Sequence, residues 1–199
     1  MVCDSCDECT VSAWRTCKLL EAITGETNND HPPQWLFDKM RDIRPAIEVG
    51  WQIPVLLSVF LEQNADTATA PMSVPEIIQN YEALVEDWLQ TKTLKKEDMI
   101  STFGAVRDDW IANDLKSWLD INTFYDGISH GITNCSGEAV LVTTKQQRFA
   151  TKLVRHAGIE EQAMGNDDIY GLGMYKSKAD VIVDRMNGGY DSAGANSFF

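Results

Sequence analysis

The sequence predicts an α/β chain, helical by majority, in which a long all-helical stretch precedes a short run of strand, helix, strand and helix. Three observations point there. Apolar residues recur at helical spacing through the first two thirds of the chain. Glu138-Ala-Val-Leu-Val-Thr-Thr144 is a short apolar run rich in β-branched residues, preceded by Cys-Ser-Gly137. The charge is also lopsided: residues 1–138 carry 10 cations and 23 anions, whereas residues 139–199 carry 7 of each.

Taken in order, the segments Thr10 to Ile23, Gln34 to Ile43 and Ile47 to Glu62 are predicted helices. Pro32-Pro33, Pro45 and the stretch from Asn64 to Pro71 punctuate them. Ser73-Val-Pro-Glu76 has the form of a capping box, in which the serine hydroxyl accepts from the third helical N–H and Glu76 returns to the Ser73 N–H. Behind it Val74, Ile77, Ile78, Tyr81, Leu84, Val85, Trp88 and Leu89 form one stripe of a single predicted helix. A second long helix follows Lys95, carried by Met99, Phe103, Val106, Trp110, Leu115, Trp118 and Leu119.

The texture changes near Phe124-Tyr-Asp-Gly127. Glu138 to Thr144 reads as a buried strand. Lys145 to Ala157 reads as a helix closed by Gly158. Asp168-Ile-Tyr-Gly171 reads as a second short strand and Lys178 to Met186 as a last helix. Two strands separated by a helix imply parallel pairing through a crossover. The tail from Asn187 to Phe199 has little periodicity and is expected to be loose.

Composition excludes several functions. The formal net charge is −13, so the chain lacks the clustered cations that displace counterions from nucleic-acid phosphates. No apolar run approaches membrane-spanning length; the best, Ile53 to Leu61, is short and holds Pro54. Met1-Val-Cys-Asp-Ser-Cys has neither a basic nor an apolar leader region, and no signal or transit segment is expected. Five cysteines, an odd number, suggest thiols in a reducing compartment.

The group with most chemical promise is Thr143-Thr144-Lys145. Parallel sheets bind ligands beyond the carboxyl ends of their strands. Two hydroxyls, backbone N–H groups and one ammonium there suit an anion, phosphate in particular. Thr-Thr-Lys after a strand is also ordinary helix capping.

Val140-Leu-Val-Thr-Thr-Lys-Gln-Gln-Arg-Phe-Ala150, then Ile169-Tyr-Gly-Leu172, then Lys178-Ala-Asp-Val-Ile182 resemble the second and third motifs of the haloacid dehalogenase-like hydrolases, closest to the phosphoglycolate-phosphatase-like branch. The resemblance implies a partial Rossmann-like parallel core with a large all-helical cap. It implies hydrolysis of a small phosphate monoester through an aspartyl-phosphate, with Mg²⁺ as cofactor. Thr143 would bind the transferring phosphoryl group and Lys178 would neutralise its charge, with Lys176 a substitute. Thr144 and Lys145 would complete the phosphate-binding set. Met1-Val-Cys-Asp-Ser5 is similar to the end of the first motif, and Ile43 to Gly50 with Phe124 to Gly127 is similar to cap sequences of a plant and cyanobacterial subgroup. Residues 1–9 would then be a remnant after the first core motif, 10–122 the cap, 123–186 the α/β core segment and 187–199 the tail. The cytoplasm or a plastid would be its compartment.

The departures bear on activity. No Asp-x-Asp pair occurs in the 199 residues, so the family's nucleophile and general acid–base have no counterpart. Val181-Ile-Val-Asp184 superficially resembles the acidic fourth motif, but it follows Lys178 too closely and reads as helix. The chain is therefore expected to be catalytically poor or dead as written, with residual phosphate binding and no protein metal ligand. A different reading is a non-catalytic helical module whose acidic surface takes a basic partner.

Other residues admit two readings. Arg44 and Glu48, at i and i+4, would face a substrate from the cap, or form an ordinary helical pair complicated by Pro45. Cys3-x-x-Cys6-x-x-Cys9 with Cys17 has spacing compatible with zinc or an iron–sulfur cluster, and Cys3 with Cys6 has spacing compatible with thiol redox chemistry, although Asp4, Asp7 and Glu8 oppose thiolate formation. Trp88, Trp110 and Trp118 fall on apolar stripes and are expected in the core. His31, His130 and His156 show no metal spacing.

Overall fold

The computed structural model describes residues 2–20, 31–65 and 72–187. The chain divides into two compact units, residues 5–123 and residues 1–4 with 124–199. The predicted loose tail lies outside the described residues beyond Asn187.

The first unit is all helical: α1 (Cys6–Leu19), α2 (Gln34–Ile43), α3 (Gln52–Ala65), α4 (Val74–Gln79), α5 (Tyr81–Lys92) and α6 (Lys96–Asp120). Helices α1 and α3 lie at its centre, α1 against α2, α3 and α6, and α3 also against α5. Ile53 to Phe60 is buried at every position, which explains why α3 has no polar stripe. Pro54 does not interrupt it, because the proline falls in the first turn, where its missing N–H has no helical partner to lose. The buried hydroxyls of α1 bond to their own helix: Thr10 Oγ1 donates to the Cys6 carbonyl and Thr16 Oγ1 to that of Ser12, each at 2.8 Å.

Four helical expectations shift. α1 begins at Cys6, four residues before the predicted Thr10 start, so residues 6–9 join the helical unit. The single predicted helix after Ser73 is two, broken at Asn80 (φ −108°, ψ 13°), and Ile78 from the predicted stripe is 42% exposed. The helix predicted from Ile47 begins at Gln52, because Pro45 forms a tight 3₁₀ turn over Arg44–Ala46 instead. The long helix after Lys95 is also interrupted. Asp114 is non-helical (φ −152°, ψ 72°) and its Oδ1 accepts from the Ser117 N–H at 3.0 Å, restarting the helix as a cap. Leu115 is consequently exposed, while Trp110 and Trp118 remain buried.

The second unit contains β1 (Cys3–Asp4), Phe124 of β2 (Thr123–Phe124), α7 (Ile128–Thr133), β3 (Leu141–Val142), α8 (Gln147–His156), β4 (Ile169–Tyr170) and α9 (Lys178–Met186). β3 and β4 are parallel, with Leu141 opposite Ile169 and Val142 opposite Tyr170. β1 and β2 form a separate two-stranded sheet. α8 closes on Gly158, whose φ of +79° a side chain adopts only with strain. Val2, Ala150, Val154, Ile159, Met164 and Ile169 make the core.

The parallel pairing is shorter than the sequence suggests. The apolar run 138–144 yields only two strand residues, both half-buried rather than buried. A strand is buried on both faces where helices cover each side of its sheet, and the sheet here has only β3 and β4 among the described residues.

Candidate functional site

The parallel register places the exits of β3 and β4 at one edge. Thr143 continues the ladder, its N–H donating to the Tyr170 carbonyl at 2.9 Å. The Leu172 N–H donates to the Lys145 carbonyl at 3.0 Å, which ties the loop after β4 to the loop after β3. Gln147 Nε2 donates to the carbonyls of Asn166 and Ile169, each at 3.0 Å. Gly171 is required by this closeness: a Cβ there would stand 2.2 Å from the Gln147 nitrogen.

Thr143, Thr144 and Lys145 are half-buried on this edge. Thr143 Oγ1 accepts from the Lys145 N–H at 3.1 Å, which leaves its own hydrogen to donate. Lys178 is exposed and opens α9, which Ser177 caps by accepting from the Asp180 N–H at 3.2 Å. Both predicted motifs therefore follow the carboxyl ends of paired parallel strands in one unit. Two further polar atoms in the loops of this edge are buried without a hydrogen-bond partner: Gln146 Oε1 before α8 and Tyr175 Oη before α9. Burial pushes the Tyr175 phenol up from its ordinary value.

Sequence reasoning missed Arg185. Its Nε donates to Tyr170 Oη at 2.8 Å, and Nη2 donates to the Asp167 carbonyl at 2.8 Å and to Asp168 Oδ1 at 2.7 Å. Nη1 also meets Glu138. Burial opposes its charge, yet the bonds to Tyr170 and Asp168 raise the guanidinium above its ordinary value. α9 is thereby clamped to β4, and the Asp168 carboxylate, which also accepts from the Gly165 N–H at 2.8 Å, is fully engaged. No sequence signal marked it beyond a lone cation beside Asp184.

The donor set does not fit Mg²⁺. The side chains on the loop after β3 are two hydroxyls and one ammonium, and Asp168 faces Arg185. No cluster of three or more His, Cys, Asp or Glu side chains suited to a metal occurs among the described residues. Asp184 lies inside α9.

Arg44 and Glu48 are exposed and do not share a helix: Arg44 starts the 3₁₀ turn and its Nη1 donates to the Ile47 carbonyl at 3.2 Å. The five cysteines carry no disulfide. Cys17 is fully buried, with Sγ 3.2 Å from both the Pro54 carbonyl and Ser58 Oγ, and burial pushes its thiol up to about 12.

The helical unit holds a second polar group that the sequence did not reveal. Glu8 is fully buried in α1 and accepts from Arg107 Nε at 2.6 Å, Arg107 Nη2 at 3.3 Å, Ser12 Oγ at 2.8 Å and Trp118 Nε1 at 3.3 Å. Burial alone would lower the Arg107 guanidinium, but Glu8 and Cys9 hold it above its ordinary value. Glu8 sits beside cysteines in sequence and Arg107 beside the apolar stripe of α6, so only the crossing of the helices pairs them.

No family model, curated protein or solved structure matches the chain.

Proposed function

We propose that the edge formed by Thr143, Thr144, Lys145 and Lys178 binds the phosphoryl group of a small phosphate monoester. On this reading the unit is the phosphoryl-binding part of a Rossmann-like, haloacid dehalogenase-like core. The supporting observation is the parallel β3–β4 register, which sends Thr143 and the loop leading to Lys178 out of the same edge. The Thr143 hydroxyl donates to a phosphoryl oxygen, and the N-terminal turn of α8 and the two ammonium groups offset its charge. Tyr175 Oη, buried without a partner, supplies a further donor.

Binding is not turnover. Such donors stabilise a phosphoryl group, but no residue pair of the 199 supplies the attacking carboxylate and its proton-transfer partner in the Asp-x-Asp form. The chain by itself therefore binds a monoester without hydrolysing it. Calorimetric titration with 2-phosphoglycolate and with inorganic phosphate tests the reading, alongside a phosphatase assay with Mg²⁺. Saturable binding that Thr143→Val and Lys178→Ala each weaken at least tenfold supports it. Absent binding, or binding indifferent to both substitutions, removes it.

A second reading rests on the uneven charge, since all of the −13 lies in residues 1–138. The helical unit exposes Glu82, Glu86, Asp87, Glu97 and Asp98, a surface suited to a basic partner. Salt-sensitive binding of a Lys/Arg-rich peptide, with no phosphate binding, would favour this module.

A further inference from the structure

We infer that Cys6 and Cys9 form a dithiol that exchanges with low-molecular-weight disulfides and closes a bridge across the first turn of α1. Cys6 is the first residue of α1 and Cys9 lies one turn on. Residues three apart on a helix share a face, with Cβ atoms about 5–6 Å apart. A disulfide needs roughly 3.5–4.5 Å. The turn must tighten by an ångström or two; the N–H groups of residues 6–8 have no helical acceptor to lose, and the Cys9 N–H, which donates to the Ser5 carbonyl at 2.9 Å, is the one bond that must adjust.

Cys9 is the attacking group. It is half-buried while Cys6 is buried, so an incoming disulfide meets Cys9 first. Its Sγ accepts from Arg107 Nη2 at 3.3 Å, and a guanidinium at that distance favours the thiolate. The opposing charge is Glu8, whose Oε2 accepts from the Cys9 thiol at 3.6 Å. Arg107 bonds both oxygens of that carboxylate, Oε1 through Nε at 2.6 Å and Oε2 through Nη2 at 3.3 Å, while Ser12 and Trp118 donate to Oε1. Asp7, the other acid between the two cysteines, is paired with Arg41 at 2.6 Å. Cys17 in the same helix has no such cation in hydrogen-bond contact and a thiol pushed up to about 12, so it serves as an internal inert control.

The chemistry balances with a disulfide RSSR as oxidant. The Cys9 thiolate attacks one sulfur, the S–S bond breaks, and RS⁻ leaves with the electron pair. Cys6 then loses its proton to solvent and attacks the Cys9 sulfur of the mixed disulfide, which expels the second RS⁻. Two protein thiols are oxidised and one disulfide is reduced to two thiols. The bridge draws Cys9 Sγ away from Arg107.

The test uses the full chain, reduced and then equilibrated with oxidised glutathione, acid-quenched and mapped by cleavage between Cys6 and Cys9 at Asp7 or Glu8. The expected product is a Cys6–Cys9 bridge reversed by dithiothreitol, with Cys6→Ser trapping glutathione on Cys9. A bridge to Cys3 in place of either partner, glutathione retained on Cys9 in the unaltered chain, or modification of Cys135 alone would each overturn the inference. Native-state alkylation by iodoacetamide at neutral pH provides a readout without substitution. Cys9 should react severalfold faster than the exposed Cys135, and a rate no faster than Cys135 also overturns it.

Discussion

The Arg107 guanidinium and the Glu8 carboxylate, 99 residues apart in sequence, meet at 2.6 Å with side chains 7% and 0% exposed. The pair fastens α1 to α6 in a place where neither charge has water to return to. Burying one charge without the other costs far more than burying the pair.

Removing one partner should therefore be severe. Glu8→Ala or Arg107→Ala is expected to lower unfolding stability by about 3–5 kcal/mol, read from urea denaturation followed by tryptophan fluorescence. The double substitution Glu8→Leu with Arg107→Met should cost less than either single change, even though Ser12 and Trp118 lose their acceptor. A double variant no more stable than the singles would show that the ion pair is not what the two share.

Gly171 is fixed by contact, since a Cβ would lie 2.2 Å from the Gln147 nitrogen and 2.7 Å from its Cα, both backbone atoms. Gly171→Ala should cost at or above the top of the ~1–3 kcal/mol range for overpacking. It should also weaken phosphate binding by prising β4 from the start of α8. An alanine variant with unchanged urea midpoint would mean that the two loops are not held this closely.

The buried Cys17 thiol gives a pH signature. Its folded value is raised, from the ordinary 9.0 to about 12, chiefly by burial. The folded state thus holds a proton that the unfolded state releases. The stabilisation is whole below pH 9.0 and is lost as pH rises toward about 12. Wild type should lose roughly 1.4 kcal/mol per pH unit relative to Cys17→Ser across that window. Parallel stability profiles for the two proteins would contradict the burial of this thiol.

At the other end of the scale stands the cap of α4. Ser73 N–H donates to Glu76 Oε2 at 2.7 Å and Glu76 N–H to Ser73 Oγ at 3.4 Å. Bonds from the Ser73 hydroxyl and then its N–H hold the Glu76 carboxyl below its ordinary value. A depressed acid stabilises the fold above its unfolded value and stops doing so as pH falls through the folded one. The unfolding midpoint of wild type should exceed that of Glu76→Gln at neutral pH, and the gap should close on acidification. A gap that widens in acid would reverse the sign and reject the assignment.

The sequence alone determined the elements whose signals are local. The Ser73–Glu76 box, α2 over Gln34–Ile43 and α9 over Lys178–Met186 stand where caps and apolar spacing put them. Gly158 closes α8 because only the left-handed conformation ends that turn. Breaks that depend on one residue's dihedral angles, at Asn80 and Asp114, were invisible to periodicity, which runs smoothly through both. The order strand, helix, strand implied a parallel pair, but only the β3–β4 register shows that Leu141 stands opposite Ile169 and Val142 opposite Tyr170. Long-range partners were decided by tertiary structure entirely. Nothing local in Glu8, Arg107 or Arg185 says which charge each will meet, because that follows from how helices cross and strands register, and burial then makes the choice costly to change.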